Sequence, residues 1–259
     1  MTYISVIALA LIQGITEFLP VSSSGHLVIA QHFLGWSQDN VLLDVVLHLG
    51  TAVAIGVVFW KDILSLFRGL VSSDPLQKKF AARYIGFIVI GSIPAALAGF
   101  LLKDFFEKMF LNPRATGLFF FVTALFLFAS LRKAKNPSQL TVITVLIIGL
   151  AQALAILPGV SRSGTTIATA LILGIERKEA GRFSFLLGLP AILGAALLEF
   201  KGISATVLSP GLIFAAFGIS LLVGLVALKL LLDFIRRGRL FYFGFYLVAL
   251  GLACLIFFG

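Results

Sequence analysis

Six stretches of the chain, at about 41–60, 84–102, 115–131, 183–200, 210–232 and 240–258, are apolar over roughly the 20 residues that carry a helix through bilayer hydrocarbon. No other feature limits the fold as severely. In lipid every backbone N–H and C=O needs an internal partner, so only helices and closed barrels span. A barrel would show short alternating segments, and these runs are continuous. The sequence therefore predicts an all-α polytopic membrane protein, with residues 1–259 forming a single integral membrane domain. The composition agrees: 60% of residues are hydrophobic and 12% charged, against about 45–50% and about 25% in ordinary globular domains. The residues from Ile4 to Phe18 do not read as a cleavable signal, because no basic region precedes them and Gln13 and Glu17 interrupt the apolar run. Cys254 is the only cysteine, which leaves neither a disulfide framework nor a cysteine metal site.

Two further apolar segments, at about 3–35 and 140–175, are broken in the middle by PVSSSGH at residues 20–26 and PGVSRSG at residues 158–164. Each half is shorter than a normal span, which suits a re-entrant hairpin whose tip is covered by protein. The two segments resemble one another. At an offset of 139, Gln13 falls on Gln152, Ser22 on Ser161, Ser24 on Ser163, Gly25 on Gly164, and Leu34-Gly35 on Leu173-Gly174. Three candidate spans follow each. The chain thus reads as two halves, about 1–135 and 136–259, each a re-entrant hairpin plus three spans.

An odd number of crossings per half would invert the second half, and the charges support this. Segments 61–83, 132–139, 176–182 and 229–239 hold 15 Lys or Arg, whereas 103–114 and 199–209 hold 4. The first side is then cytoplasmic and both termini face outward. The hairpins enter from opposite faces and meet near the midplane, the arrangement of an inverted-topology repeat. The net charge of +9 is accounted for by these loops, so orientation and anionic headgroups explain it and nucleic acid is not an expected partner. One basic residue, Arg162, falls inside a membrane segment.

A buried membrane charge is costly and usually faces a cavity or a partner. For Arg162 that means an anion site or a structural pair with Glu17. Its planar fork of donors matches phosphate oxygens. Ser161, Ser163, Thr165 and Thr166 add hydroxyls around it, and the helix start near Gly164 adds backbone N–H groups. In the first hairpin, Gln13 and Glu17 stand four apart and share a helical face. Glu17 suits a divalent-cation ligand or a base, with a polar contact stabilising the hairpin as the plainer reading. His26 can change its proton state near neutrality and is a candidate for attack or proton transfer. Asp39 and Asp44 are weaker metal candidates at the start of a span, His48 reads as structural and His32 as interfacial. No P-loop or Rossmann fingerprint is present. The two hairpins together point to phosphoryl chemistry or anion transport.

At QGITEFLPVSSSGH and PGVSRSGTT the chain resembles the bacterial undecaprenyl-pyrophosphate phosphatases, also known as bacitracin-resistance proteins. The resemblance extends through DVVLHLGTAVAIGVVFW from Asp44 and FSFLLGLPAILGA from Phe183. The family's (Glu/Gln)xxxGlu motif falls on Gln13 to Glu17, with Gln first, and its PGxSRSxxT motif on Pro158 to Thr166. This implies a calcium- or magnesium-assisted membrane hydrolase, of the inner membrane in a Gram-negative cell, with its active site opening outward. The implied reaction removes the terminal phosphate of undecaprenyl pyrophosphate. Its product carries peptidoglycan and other wall precursors, and loss of the pyrophosphate-lipid confers bacitracin resistance. Carried over, the resemblance implies a catalytic set of Glu17, Ser23, His26, Ser161, Arg162 and Thr166, with Ser163 beside the phosphate and Gln13 supporting Glu17. The resemblance leaves open whether Ser23 or His26 makes the first attack; the preferred assignment is Ser23 as nucleophile, with His26 activating it or protonating the leaving group, Glu17 orienting the metal or the histidine, and Arg162 holding the phosphates with Ser161 and Thr166. The competing class is a transporter or flippase for a phosphorylated lipid or other anion, since inverted halves and broken helices serve transport as well. The sequence carries no signature of a particular oligomeric state. Replacing His26 with Ala is expected to lower the initial rate of phosphate release at saturating lipid more than it weakens lipid binding.

Overall fold

The computed structural model describes residues 3–34, 41–131, 138–200 and 209–258. Among them the chain forms twelve α-helices: α1 (Tyr3–Thr16), α2 (Ser23–Phe33), α3 (Val41–Val58), α4 (Trp60–Leu70), α5 (Pro75–Leu101), α6 (Lys103–Phe110), α7 (Pro113–Ala129), α8 (Val142–Leu154), α9 (Arg162–Ile172), α10 (Arg177–Phe200), α11 (Pro210–Arg236) and α12 (Tyr242–Phe257). Four of these, α3, α5, α10 and α11, are long and apolar enough to cross a membrane. A fifth span arises if α6 and α7, bent by 104° at their junction, count as one, and α1, α8 and α12 are shorter apolar helices. This is a multi-spanning all-α membrane protein. Its outward surface matches a lipid solvent: large side chains such as Phe100, Leu197, Phe214 and Ile256 project from it largely uncovered.

The apolar runs of the sequence correspond to α3, α5, α7, α10, α11 and α12. Two helices fall where the sequence analysis placed connections. Both α4 and α6 are short and amphipathic, α4 burying Leu66 and Gly69 while Trp60 and Phe67 stay exposed, so neither has the uninterrupted apolarity of a span. Local signals set the helix starts well. Asp74, Asn112 and Thr141 each accept a hydrogen bond from a backbone N–H of the first turn, and Pro75 and Pro113 occupy first-turn positions that have no donor to lose.

Packing ties each hairpin to the far part of the chain. Helix α1 lies on α11 and α8 lies on α5, while α3 packs on both α10 and α11, and α7 on α12. The α5–α8 crossing is close because glycines meet there: a Cβ added at Gly149 would run into the carbonyl oxygen of Gly91. Since the obstacle is backbone of another helix, relief requires the helices to part. Gly149→Ala is expected to destabilise the fold by about 1–3 kcal/mol, the usual range for overpacking, read as a lowered thermal midpoint of the detergent-solubilised protein.

Candidate active site at the hairpin tips

The breaks between α1 and α2 and between α8 and α9 are built alike. Ser22 caps α2, its Oγ accepting from the Gly25 N–H at 3.2 Å, and Ser161 caps α9, its Oγ accepting from the Gly164 N–H at 3.1 Å. In each, the capping hydroxyl also lies 3.2 Å from the serine two residues on, Ser24 or Ser163. The tips then interlock. The Gly159 N–H donates to Ser22 Oγ at 3.1 Å, and Gly25 is pressed so closely on this loop that an added Cβ would lie 2.9 Å from the Gly159 Cα and 2.7 Å from the Phe120 ring. Thr123 of α7 holds the second tip from behind, donating to the Gly159 carbonyl at 3.0 Å and accepting from the Ser161 N–H at 2.9 Å. Ser22 pays for its three-way role with a φ of 69°, the only positive φ outside glycine among the described residues.

At this junction the structure brings Glu17, Arg162, Ser23 and Gln13 together. One carboxylate oxygen of Glu17 accepts from Arg162 Nη2 at 2.8 Å, and the other accepts from Ser23 Oγ at 2.7 Å and Gln13 Nε2 at 3.1 Å. The Glu17 and Arg162 side chains are only 7% and 14% exposed, so this is a buried ion pair joining residues 145 apart in sequence. The pair leaves two polar atoms over. Arg162 Nη1 and Gln13 Oε1 are buried with no hydrogen-bond partner among the described residues, and Nη1 packs against the Gly188 backbone. Arg162 is further held by α10: it lies over the Phe185 ring, 5.9 Å from its centroid, and against the bare backbone of Gly188.

His48 of α3 belongs to this cluster although its position on an apolar face read as structural. Its Nε2 stands 4.0 Å from the Glu17 carboxylate, and its Nδ1 is 2.7 Å from the Asp44 carbonyl, which fixes the proton on Nδ1 in the neutral ring. His26 is placed differently. It lies one turn along α2 from Ser23, but its nitrogens meet the Ser22 carbonyl at 2.8 Å and the Tyr246 hydroxyl at 2.7 Å. Ser23 bonds to Glu17 instead. The hydroxyls around Arg162 are buried and engaged in the frame. Thr165 donates to the Ser161 carbonyl at 2.9 Å, Thr166 to the Arg162 carbonyl at 2.7 Å and shares a bond with Ser184 of α10, and Ser163 reaches the Leu19 carbonyl at 3.4 Å. Asp44 accepts from Gln31 at 3.3 Å, His32 rests edge-on against Phe258, and Asp39 lies outside the described residues.

A model of the family described as bacitracin resistance protein BacA matches residues 6–253. The chain belongs to that family. It is 38% identical to an undecaprenyl-diphosphatase of Methanosphaera stadtmanae, over 98% of this chain and 97% of the relative. It is 42% identical to one of Syntrophotalea carbinolica, over 97% of each, and 39% identical to one of Carboxydothermus hydrogenoformans, over 96% of this chain and 94% of the relative. Both tips fall within the matched residues.

The two tips thus meet in one charge-balanced cluster. Removing one partner from a buried pair strands the other, whereas replacing both removes the imbalance. Glu17→Gln is expected to cost about 3–5 kcal/mol by leaving Arg162 uncompensated, and the double variant Glu17→Gln/Arg162→Met to recover most of that loss, with thermal denaturation in detergent as the measurement.

Proposed function

We propose that the chain hydrolyses undecaprenyl pyrophosphate to undecaprenyl phosphate and inorganic phosphate at the junction of the hairpin tips. The observation that carries this is the Ser23 hydroxyl seated 2.7 Å from a carboxylate whose other oxygen holds Arg162. A weak nucleophile, its base and an anion clamp lie within one contact shell. Names of near-full-length relatives in the family support the substrate.

The steps follow from that geometry. The terminal phosphate takes donors from Arg162, whose Nη1 is already unpartnered. As the guanidinium turns toward phosphate it neutralises Glu17 less, and the carboxylate becomes a better proton acceptor. Ser23 passes its proton to Glu17 and its Oγ bonds to the terminal phosphorus, while the bond from that phosphorus to the bridging oxygen breaks and undecaprenyl phosphate departs with that oxygen. Water then attacks the phosphoserine, giving up a proton to His26, as the Oγ–phosphorus bond breaks and Ser23 recovers its proton from Glu17. Ser161, Ser163 and Thr166 act by holding the α9 N-terminus and Arg162 in register, and the N-terminus itself favours an oxyanion.

A calcium or magnesium ion would be held by hard oxygens: the Glu17 carboxylate and, with the Gln13 amide turned over from its present Nε2-to-Glu17 hydrogen bond, Gln13 Oε1, with phosphate oxygens completing the set. Bound there, the ion would offset pyrophosphate charge. In this reading the bundle is an inverted repeat of six spans and two re-entrant hairpins, in the cell membrane with termini and active site facing outward. The reaction returns the lipid carrier to cell-wall synthesis and removes the pyrophosphate-lipid on which bacitracin acts.

The test is inorganic phosphate released from undecaprenyl pyrophosphate by the purified protein in detergent. Release that stops on chelation, resumes with calcium or magnesium, and falls about 100- to 1,000-fold in Arg162→Ala is expected. Folded protein that binds the lipid and releases no phosphate would sink the hydrolase reading and favour a carrier.

A further inference from the structure

Tyr246 of α12 lies outside both motifs, and its hydroxyl is 2.7 Å from Nε2 of His26, a residue 220 positions away. The two rings are stacked, with centroids 5.8 Å apart and planes 10° from parallel. Phe120 of α7 closes the imidazole from the side, edge-on at 5.7 Å. The other nitrogen, Nδ1, is 2.8 Å from the Ser22 carbonyl. A carbonyl can only accept, so Nδ1 carries the proton and Nε2 is the basic nitrogen of the neutral ring. Any proton His26 gains must arrive at Nε2, the atom that Tyr246 holds.

We infer that Tyr246 is a positioning residue for the hydrolysis, acting through His26; this rests on the proposed phosphatase reading. A phenol hydroxyl both donates and accepts. It donates to Nε2 while the ring is neutral; a proton that the attacking water gives up enters at the phenol oxygen as the phenol hands its own to Nε2, after which the hydroxyl accepts from Nε2–H, so the imidazole keeps its place and tautomer in both charge states. The bond to Ser22, the residue that also caps α2 and receives the Gly159 N–H, ties that tautomer to the interlocked tips. A purely structural role fits less well. Helix α12 is secured on α7, where Gly117 approaches Cys254 so closely that an added Cβ would lie 2.7 Å from the Cys254 Cβ. It shares no extended backbone packing with α2, and the two are bridged there by side chains. Nor does Tyr246 read as an ordinary lipid-facing aromatic: it is 47% exposed, yet its polar end points at a histidine one turn from Ser23.

Tyr246→Phe keeps the stacked ring and deletes the hydroxyl. In full-length protein, with phosphate release from undecaprenyl pyrophosphate as the assay, kcat is expected to fall about tenfold, the worth of one lost hydrogen bond, with KM within about twofold of wild type. In a His26→Ala background the same substitution should cause no further loss. Unchanged kcat, or losses that multiply in the double variant, would overturn the inference by showing that the tyrosine does not work through His26. A second readout does not depend on turnover. In protein labelled with 15N-histidine, Tyr246→Phe should move the Nε2 resonance of His26 and leave those of His32 and His48 in place, and an unmoved resonance overturns the inference even in an active enzyme. A His26 resonance that moves in Tyr246→Phe, beside wild-type protein that releases no phosphate, would remove the phosphatase reading, and the positioning role with it.

Discussion

The ion pair between Glu17 and Arg162 is the constraint around which the remaining structure is arranged. Each charge sits at the end of a short helix that stops inside the bundle, and neither would be tolerable there alone. Their mutual attraction offsets desolvation only if the remaining donors and acceptors are also supplied. Ser23 and Gln13 do this for the carboxylate, and Phe185 and the bare face of Gly188 make room for the guanidinium. Bringing the partners to 2.8 Å requires both tips to sit at one depth and in one register, which the Ser22–Gly159 and Thr123–Ser161 hydrogen bonds impose. The capping hydroxyls are therefore part of the electrostatics: without them the broken backbone would add unsatisfied N–H groups to a site that already buries two charges.

The two hairpins share a frame and divide the chemistry. Both have the serine cap, the second serine, the glycine and the buried glutamine at equivalent places. At the same offset, however, Glu17 corresponds to Ile156, Arg162 to Ser23 and His26 to Thr165. The departures from repetition are thus the charged and titratable residues, and each tip carries what the other lacks. A symmetric frame with two identical tips would place like charges face to face. With acid on one and base on the other, the approach of the tips is attractive, and one site forms instead of two. Gln152, the counterpart of Gln13, illustrates the remainder: it is buried with both amide atoms unpartnered among the described residues, where the equivalent carboxylate position is isoleucine.

Much of this was legible in the sequence, for physical reasons that also mark where legibility ends. Continuous apolarity is a one-dimensional signal, so the six long runs and two broken ones appear as helices and interrupted helices in order. Helices α4 and α6 escaped because a short amphipathic helix at an interface has the composition of a loop. Within the motifs, Glu17 and Arg162 stand out because charged residues are out of place in lipid, whereas Ser23 enters only through the family resemblance. His48 did not stand out, since one histidine in an apolar span has many innocent explanations and only the fold turns it toward Glu17. Tyr246 had no local signal at all: tyrosine near a span end is ordinary in a membrane protein, and its partner is 220 residues away in sequence. The hydroxyls of Ser161, Ser163, Thr165 and Thr166 were visible as a group, but sequence could not say that they are occupied in the frame.

On the proposed reading, the resting pair also explains how an intramembrane base avoids indiscriminate reactivity. While Arg162 holds one oxygen of Glu17, the carboxylate is stabilised as an anion and has little tendency to take a proton from Ser23. A neutral lipid offers nothing to compete for the guanidinium, so the pair stays closed. A pyrophosphate does compete, because its oxygens match the same planar fork and carry more charge than one carboxylate. The energy that draws the phosphate in is then the energy that releases the base, and binding and activation become a single event. Discrimination of this kind depends on burial: in water the exchange of one anion for another at arginine would change the basicity of Glu17 very little, whereas in a site this enclosed the same exchange acts at low dielectric. That is a reason to carry out phosphoryl chemistry at the tips of broken helices, where backbone and charge can be satisfied by protein alone, rather than on an exposed loop.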